Sequence, residues 1–198
     1  MTPSVEDLWF VPLGGSGEIG MNLNLFGHDG RWLMVDCGVT FEETVGGNEV
    51  QMPDPQFIAD RADSLVGIVA THAHMDHIGA LPYLADQFGC PIYTTPFTAA
   101  VLAPKLREAR SKTVVNIVHP GQSLALGPFQ LTWLPITHST PETNGLFIET
   151  AAGNIVHTAD WKIDPKPVVG QGFNRPLWQT LASKGIDAVV CDSTNAMN

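Results

Sequence analysis

No apolar run in this 198-residue chain approaches the ~18 residues that a membrane-spanning helix needs. Cysteine is scarce as well. The three present (Cys37, Cys90, Cys191) are widely spaced and odd in number, which excludes a disulfide framework and predicts buried thiols in a reducing compartment. Positive charge is the third shortage: 10 Lys+Arg stand against 20 Asp+Glu, a net charge of −10. Such a chain has no overall basic field to gather nucleic acid or anionic lipid. If it acts on a polyanion, positive charge must be local or come from a bound metal. The N-terminus, Met1 to Leu8, is acidic where an export signal would be basic. With 44% hydrophobic and 15% charged residues the chain can bury a core, so disorder is excluded. These features predict a cytoplasmic, mixed α/β domain with no membrane partner.

Short apolar runs with period-two alternation predict strands at Leu8–Leu13, Met21–Phe26 and Trp32–Asp36, together an antiparallel meander. The acidic, Gly- and Pro-bearing stretch 40–54 reads as a surface loop, and Gln56–Asp63 as a short helix. Val66–Ala70 is a strand that empties into a histidine-rich turn. Ile78, Leu81, Leu84, Ala85 and Phe88 then recur at helical spacing up to Gly89. Pro91–Tyr93 is a strand, and 96–110 a helix that Pro104 should kink. Short strands follow at Val114–Val118, Leu124–Leu126, Phe129–Leu134, Leu146–Glu149, Asn154–His157 and Ala188–Cys191, with a helix at Leu177–Ser183. This order predicts two packed sheets covered by helices rather than a regular βαβ array.

Gly15-Ser-Gly17-Glu-Ile-Gly20 matches G-x-G-x-x-G, the dinucleotide fingerprint. That mechanism requires the glycines to open a helix whose N-terminus holds a pyrophosphate. Here they open a segment of strand periodicity, so a tight loop is expected instead. The stronger signal is Thr71-His72-Ala-His74-Met-Asp76-His77, three imidazoles and a carboxylate within six residues just after a strand end. Neutral imidazole and carboxylate donors suit zinc and related divalent ions. His72 and His74 can share one ion, while Asp76 and His77 are displaced enough to face a second. His138 and Asp160 each follow a strand end and become candidate ligands beside that motif. His28, His119 and His157 read as structural, with His157 at most backing a ligand.

The order H-x-H-x-D-H, then a histidine, then an aspartate, resembles the metallo-β-lactamase superfamily. Leu13–Asn22, Thr71–Leu84, His138-Ser139, Thr158–Lys162 and Asp192–Ala196 resemble, more specifically, the ribonuclease J family of its beta-CASP group. The resemblance spans essentially the whole chain. It implies an αββα four-layer sandwich and two divalent metal ions, zinc first and manganese as the alternative. It implies one ion on His72, His74 and His138, the other on Asp76 and His77, with Asp160 bridging. Family members continue into a beta-CASP domain and a returning segment that carries a last histidine ligand. Residues 1–198 are therefore expected to be the N-terminal part of a metallo-β-lactamase domain, incomplete where that insertion would begin. On its own the chain is expected to be weakly active or inactive, with any homo-oligomer built through other parts. Ala159 stands where the family usually has glycine, and Glu142 where it often has aspartate.

Two ions ~3.5–4 Å apart activate a shared water for in-line attack on phosphorus and neutralise the equatorial oxygens. Asp76 is the candidate to orient or deprotonate that water, and Ser139 and Thr140 to donate to a phosphate oxygen. RNA is the implied substrate and partner, cut endonucleolytically and from the 5′ end. Two other readings stay open: a hydrolase of thioesters, lactones or cyclic phosphodiesters, and a non-catalytic metal-binding module.

Overall fold

The computed structural model describes residues 2–44, 47–170, 172–194 and 196. In chain order the elements are β1 (Trp9–Gly14), β2 (Leu23–His28), β3 (Arg31–Val35), β4 (Thr40–Thr44), β5 (Gly47–Gln51), α1 (Gln56–Ala59), a 3-10 turn at Ala62–Ser64, and β6 (Leu65–Val69). Then follow α2 (Met75–Ile78), α3 (Leu81–Phe88), β7 (Ile92–Thr94), α4 (Pro96–Glu108), β8 (Val115–Ile117), β9 (Ser123–Leu126) and β10 (Phe129–Pro135). The last four are β11 (Asn144–Thr150), β12 (Gly153–His157), α5 (Arg175–Ala182) and β13 (Ala188–Val190).

The strands form a six-stranded sheet, β1-β2-β3-β6-β7-β8, and a five-stranded sheet, β13-β12-β11-β10-β9. Alternation along each strand decides what it faces. In β3, Trp32 and Met34 join a core shared with α1, α3 and α4, whereas Leu33 and Val35 enter the core between the sheets. In β11, Leu146 and Ile148 face that inter-sheet core and Phe147 packs under α5 with Leu181. Helices, sheet, sheet, helix: the chain is an αββα sandwich. No helix among the described residues is long and apolar enough to cross a membrane.

Five expectations change. Residues 40–51 are not a plain loop, because β4 and β5 pair antiparallel, Phe41 opposite Val50 and Glu42 opposite Glu49. Four of the six strands of the larger sheet, β3-β6-β7-β8, run parallel, with α3 and α4 as crossovers, so βαβ units are present after all. The helix after the histidine turn breaks in two: the Ala80 amide donates to the Cys37 carbonyl (3.0 Å), leaving the helical ladder, and Pro82 suits the first turn of a new helix. Cys191 is exposed, since it follows the edge strand β13, while Cys37 and Cys90 are buried; all three are unpaired. Pro104 leaves α4 uninterrupted, and it lies with Ala100 on the solvent side.

Candidate metal centre

The parallel strands β3 and β6 and the strands β10 and β12 all end at one edge of the sandwich, and the loops after them converge there. Carboxyl ends of parallel strands are the usual place for a ligand site. Two loops of the second sheet are tied to each other: the Lys162 amide donates to the Thr137 carbonyl (2.8 Å), and the Thr137 hydroxyl donates to the Lys162 carbonyl. That tie sets His138 and Asp160 side by side.

The six candidate residues come together as two overlapping groups, His72, His74, His138 and Asp160, and Asp76, His77 and Asp160. Within the first, His74 Nδ1 lies 3.0 Å from His72 Nε2 and 3.2 Å from His138 Nε2. Within the second, His77 Nε2 lies 3.4 Å from Asp76 Oδ2 and 3.3 Å from Asp160 Oδ1. The other oxygen of Asp160, Oδ2, lies 3.5 Å from His138 Nε2. One carboxylate thus straddles both groups.

Asp36, a residue the motif reading passed over, fixes this arrangement from behind. It is fully buried at the end of β3, and its carboxylate accepts from the Thr71 amide (2.8 Å), the Thr71 hydroxyl (2.9 Å) and His77 Nδ1 (2.7 Å). His77 therefore carries a proton on Nδ1 and turns Nε2 toward the cluster. Because the Thr71 hydroxyl gives its proton to Asp36, its oxygen accepts from His72 Nδ1 (3.0 Å), which frees His72 Nε2 likewise. Asn22, also unmarked in the sequence reading, donates from Nδ2 to the Asp76 carbonyl (3.1 Å) and lies 3.3 Å from His77 Nε2. A Cβ on Gly38 would collide with that same Asp76 carbonyl, so glycine is what lets the chain after β3 pack against α2.

Backbone strain gathers here. Of six non-glycine residues at positive φ, Met21, Asp36, Glu142 and Ala159 lie in segments around the cluster. A φ of +51° at Ala159 explains why glycine would suit that position.

Ser139 and Thr140 part company. Ser139 Oγ is 3.3 Å from His74 Nε2, at the cluster, whereas the Thr140 hydroxyl is bonded to Thr143 Oγ1 (2.9 Å). The glycine-rich loop 15–20 runs into β2 rather than a helix and lines a cavity of ≈ 390 Å³ together with Asp76, His77 and Asp160. Glu18 and Asp192 also line it, and no Lys or Arg does.

Electrostatics follow from that inventory. Burial, then the neighbouring imidazoles, hold His72 well below the ordinary histidine range, so it is a neutral donor. Burial opposes charge on His77 too, but Asp36, Asp160 and Asp76 outweigh it and push that ring well up. Asp76 and Asp160 are held low, burial being overcome by His77. Convergent imidazole nitrogens and carboxylates with no Lys or Arg among them form a donor set that fits divalent metal, which would replace the proton on His77 Nε2.

Residues 31–191 match the sequence model of the beta-lactamase superfamily domain. Ribonuclease J of Sinorhizobium meliloti is 43% identical over 97% of this chain and 35% of its own length. Ribonuclease J of Mycobacterium tuberculosis is 40% identical over 93% of the chain and 33% of its length, and that of Helicobacter pylori 35% identical over 94% and 28%. The chain thus spans about a third of the length of the curated relatives it matches. Among solved structures, the metallo-beta-lactamase fold protein YhfI of Bacillus subtilis superposes with a TM-score of 0.52 at 25% identity, covering 79% of this chain and 61% of that one. A diphosphatase of the PhnP family gives 0.58 at 19% identity, covering 85% and 59%, a likeness of fold alone.

Proposed function

Since this chain belongs to the beta-lactamase superfamily, we propose that its two donor groups hold two divalent metal ions, zinc above all, and that it hydrolyses RNA phosphodiester bonds. The straddling carboxylate of Asp160 carries the reading, because it gives two neighbouring ions a common ligand. His72, His74 and His138 would hold the first ion, Asp76 and His77 the second. The likeness to the named ribonucleases supports RNA as the substrate. Residues 1–198 are read as the N-terminal part of a metallo-β-lactamase domain, and the unpaired cysteines suit the cytoplasm.

Two such ions supply positive charge for a phosphate and acidify water when bound. Asp76, exposed to the cavity and held in its charged form, accepts the proton of an attacking water. Ser139 donates a hydrogen bond to a non-bridging phosphate oxygen. Asn22 and Asp36 fix the orientation of His77, and Thr71 that of His72.

The test is metal content and turnover together. Zinc-loaded protein should cleave a 5′-monophosphorylated RNA, weakly at most where residues 1–198 stand alone, chelation should abolish that cleavage, and the two ions should leave unequally. The first group has four donors and the second three, so the second ion should leave first. Cleavage that survives complete chelation, or hydrolysis of thioesters but not RNA, would overturn the proposal.

A further inference from the structure

Four of the ten cations, Lys105, Arg107, Arg110 and Lys112, stand within eight residues at the C-terminal end of α4, with Glu108 as the only acid among them. Among the described residues none of the four side chains forms an ion pair, a hydrogen bond or a ring contact. The other cations differ. Arg31 donates to the Asp63 carbonyl, Arg61 donates to the Phe57 carbonyl and stacks on its ring, and Arg175 lies over Phe173. Lys162 pairs with Asp164 and Lys184 with Glu149, leaving only Lys166 without such a contact.

The segment is also held rigidly. Asp86 on α3 accepts from Ser111 Oγ, the Lys112 amide, and the Thr113 amide and hydroxyl, which pins the turn after α4. Counting Asp86 and Glu108, the patch still carries two positive charges on a chain of net −10. Helix polarity accounts for Lys105 and Arg107 in the last turn, but Arg110 and Lys112 lie past it. Arg110 sits at φ +56°, just after the helix, where glycine fits without strain and arginine does not. Of the six strained residues, Asp29 belongs to the β2–β3 turn and four surround the metal centre. Arg110 is the one left over.

We infer that this basic segment is a second, remote contact surface for single-stranded RNA. Clustered, unpaired cations are the electrostatic footprint of nucleic acid, and the rest of this acidic surface repels a polyanion. The inference rests on RNA being the substrate. Glu142, in the loop after His138, accepts from the Phe97 amide at the start of α4. The patch therefore runs from about 12 Å (Lys105) to about 20 Å (Arg110) along the helix from that loop, at ~1.5 Å per helical residue. Only a strand extending well past the cleft reaches it, so long RNAs gain and short phosphodiesters do not.

The experiment is fluorescence anisotropy with a long, labelled single-stranded RNA in EDTA, so that binding is read without cleavage. The variant is Lys105→Gln/Arg107→Gln/Arg110→Gly/Lys112→Gln, with Lys105→Arg/Arg107→Lys/Lys112→Arg as the charge-conserving control. Each lost phosphate contact removes about 0.7 from the slope of log affinity against log salt, so the slope should shrink by about 2–3. The control should bind as the parent does, and the metal-loaded neutralised variant should hydrolyse a chromogenic phosphodiester at the parental rate. An unchanged salt slope in a variant whose circular dichroism matches the parent would overturn the inference. So would an acidic peptide that displaces RNA at equal charge concentration, which would mark the surface as a protein contact. Failure of RNA cleavage with this binding result intact would count against the nuclease reading and leave the surface standing.

Discussion

The two sheets equip the same site in opposite ways. The six-stranded sheet delivers four donors from one turn, His72, His74, Asp76 and His77, whose relative positions are fixed by six residues of chain and by Asp36 on the neighbouring strand. The five-stranded sheet delivers one donor per loop, His138 after β10 and Asp160 after β12, held in register by the Thr137–Lys162 tie and by the inter-sheet core around Trp133. The turn supplies two donors of each group by itself. Only the second sheet joins the groups, because the carboxylate that reaches both belongs to it.

Removing that link should have the largest effect. Asp160→Ala should weaken both ions and lower RNA hydrolysis by well over the ~10–100-fold that loss of a supporting residue around a metal costs. Asp76→Ala should weaken the second ion and leave the first near full occupancy. Metal analysis after dialysis, beside initial rates, checks both. If Asp160→Ala loses only one ion, the groups are independent and the bridging assignment is wrong.

The next effect probes what stands behind the turn. Asp36→Ala leaves the Thr71 amide, the Thr71 hydroxyl and His77 Nδ1–H buried without an acceptor. Each unsatisfied buried donor costs about 1–3 kcal/mol, so a clear drop in melting temperature is expected. Freed His77 and His72 rings should also reduce activity by ~10–100-fold. Asp36→Asn should recover much of the stability, since its amide oxygen still accepts, but less of the activity. Activity unchanged in a folded Asp36→Asn protein would show that the turn orients itself.

How much of this was legible in the sequence follows the same division. The Thr71–His77 run announces itself because its donors are near neighbours along the chain, and His138 and Asp160 follow apolar strand runs. Asp36 occupies a similar strand-end position, yet nothing in a linear pattern says that β3 lies parallel beside β6, with Val35 opposite Val69. Its role is a product of pairing across more than thirty residues. Asn22 was hidden for the same reason, as a polar residue in a segment that reads as an alternating strand. The split between α2 and α3 did have a local signal, Gly79 and Pro82, which the helical spacing of the apolar residues masked. The β4–β5 hairpin was obscured by its acidic, glycine-bearing composition, since each strand carries one apolar residue, Phe41 and Val50, and these meet only across the pair.

The smallest expected effect contrasts two buried histidines across the cavity. His77 has Asp36 behind it and is pushed up; His157, the last residue of β12, has no such partner. Its Nδ1 accepts from the Ala159 amide (3.1 Å) and its ring meets the Phe26 ring edge-on. Burial lowers its pKa to about 4, with Asp36 offsetting only part of that. In the unfolded chain a histidine titrates near ~6.5. The unfolded state thus binds more protons between pH ~6.5 and about 4, so this residue's contribution is complete above ~6.5 and declines as pH falls. By pH ~4.5 the loss should be on the order of 2–3 kcal/mol. His157→Phe should be less stable at neutral pH, having lost the acceptor for the Ala159 amide, and its stability should fall less on acidification. Urea denaturation of both proteins from pH 7.5 to 4.5 measures the difference in slope. Parallel pH profiles would mean that His157 is not held neutral by burial, and that the wall of the second sheet is wetter than its packing indicates.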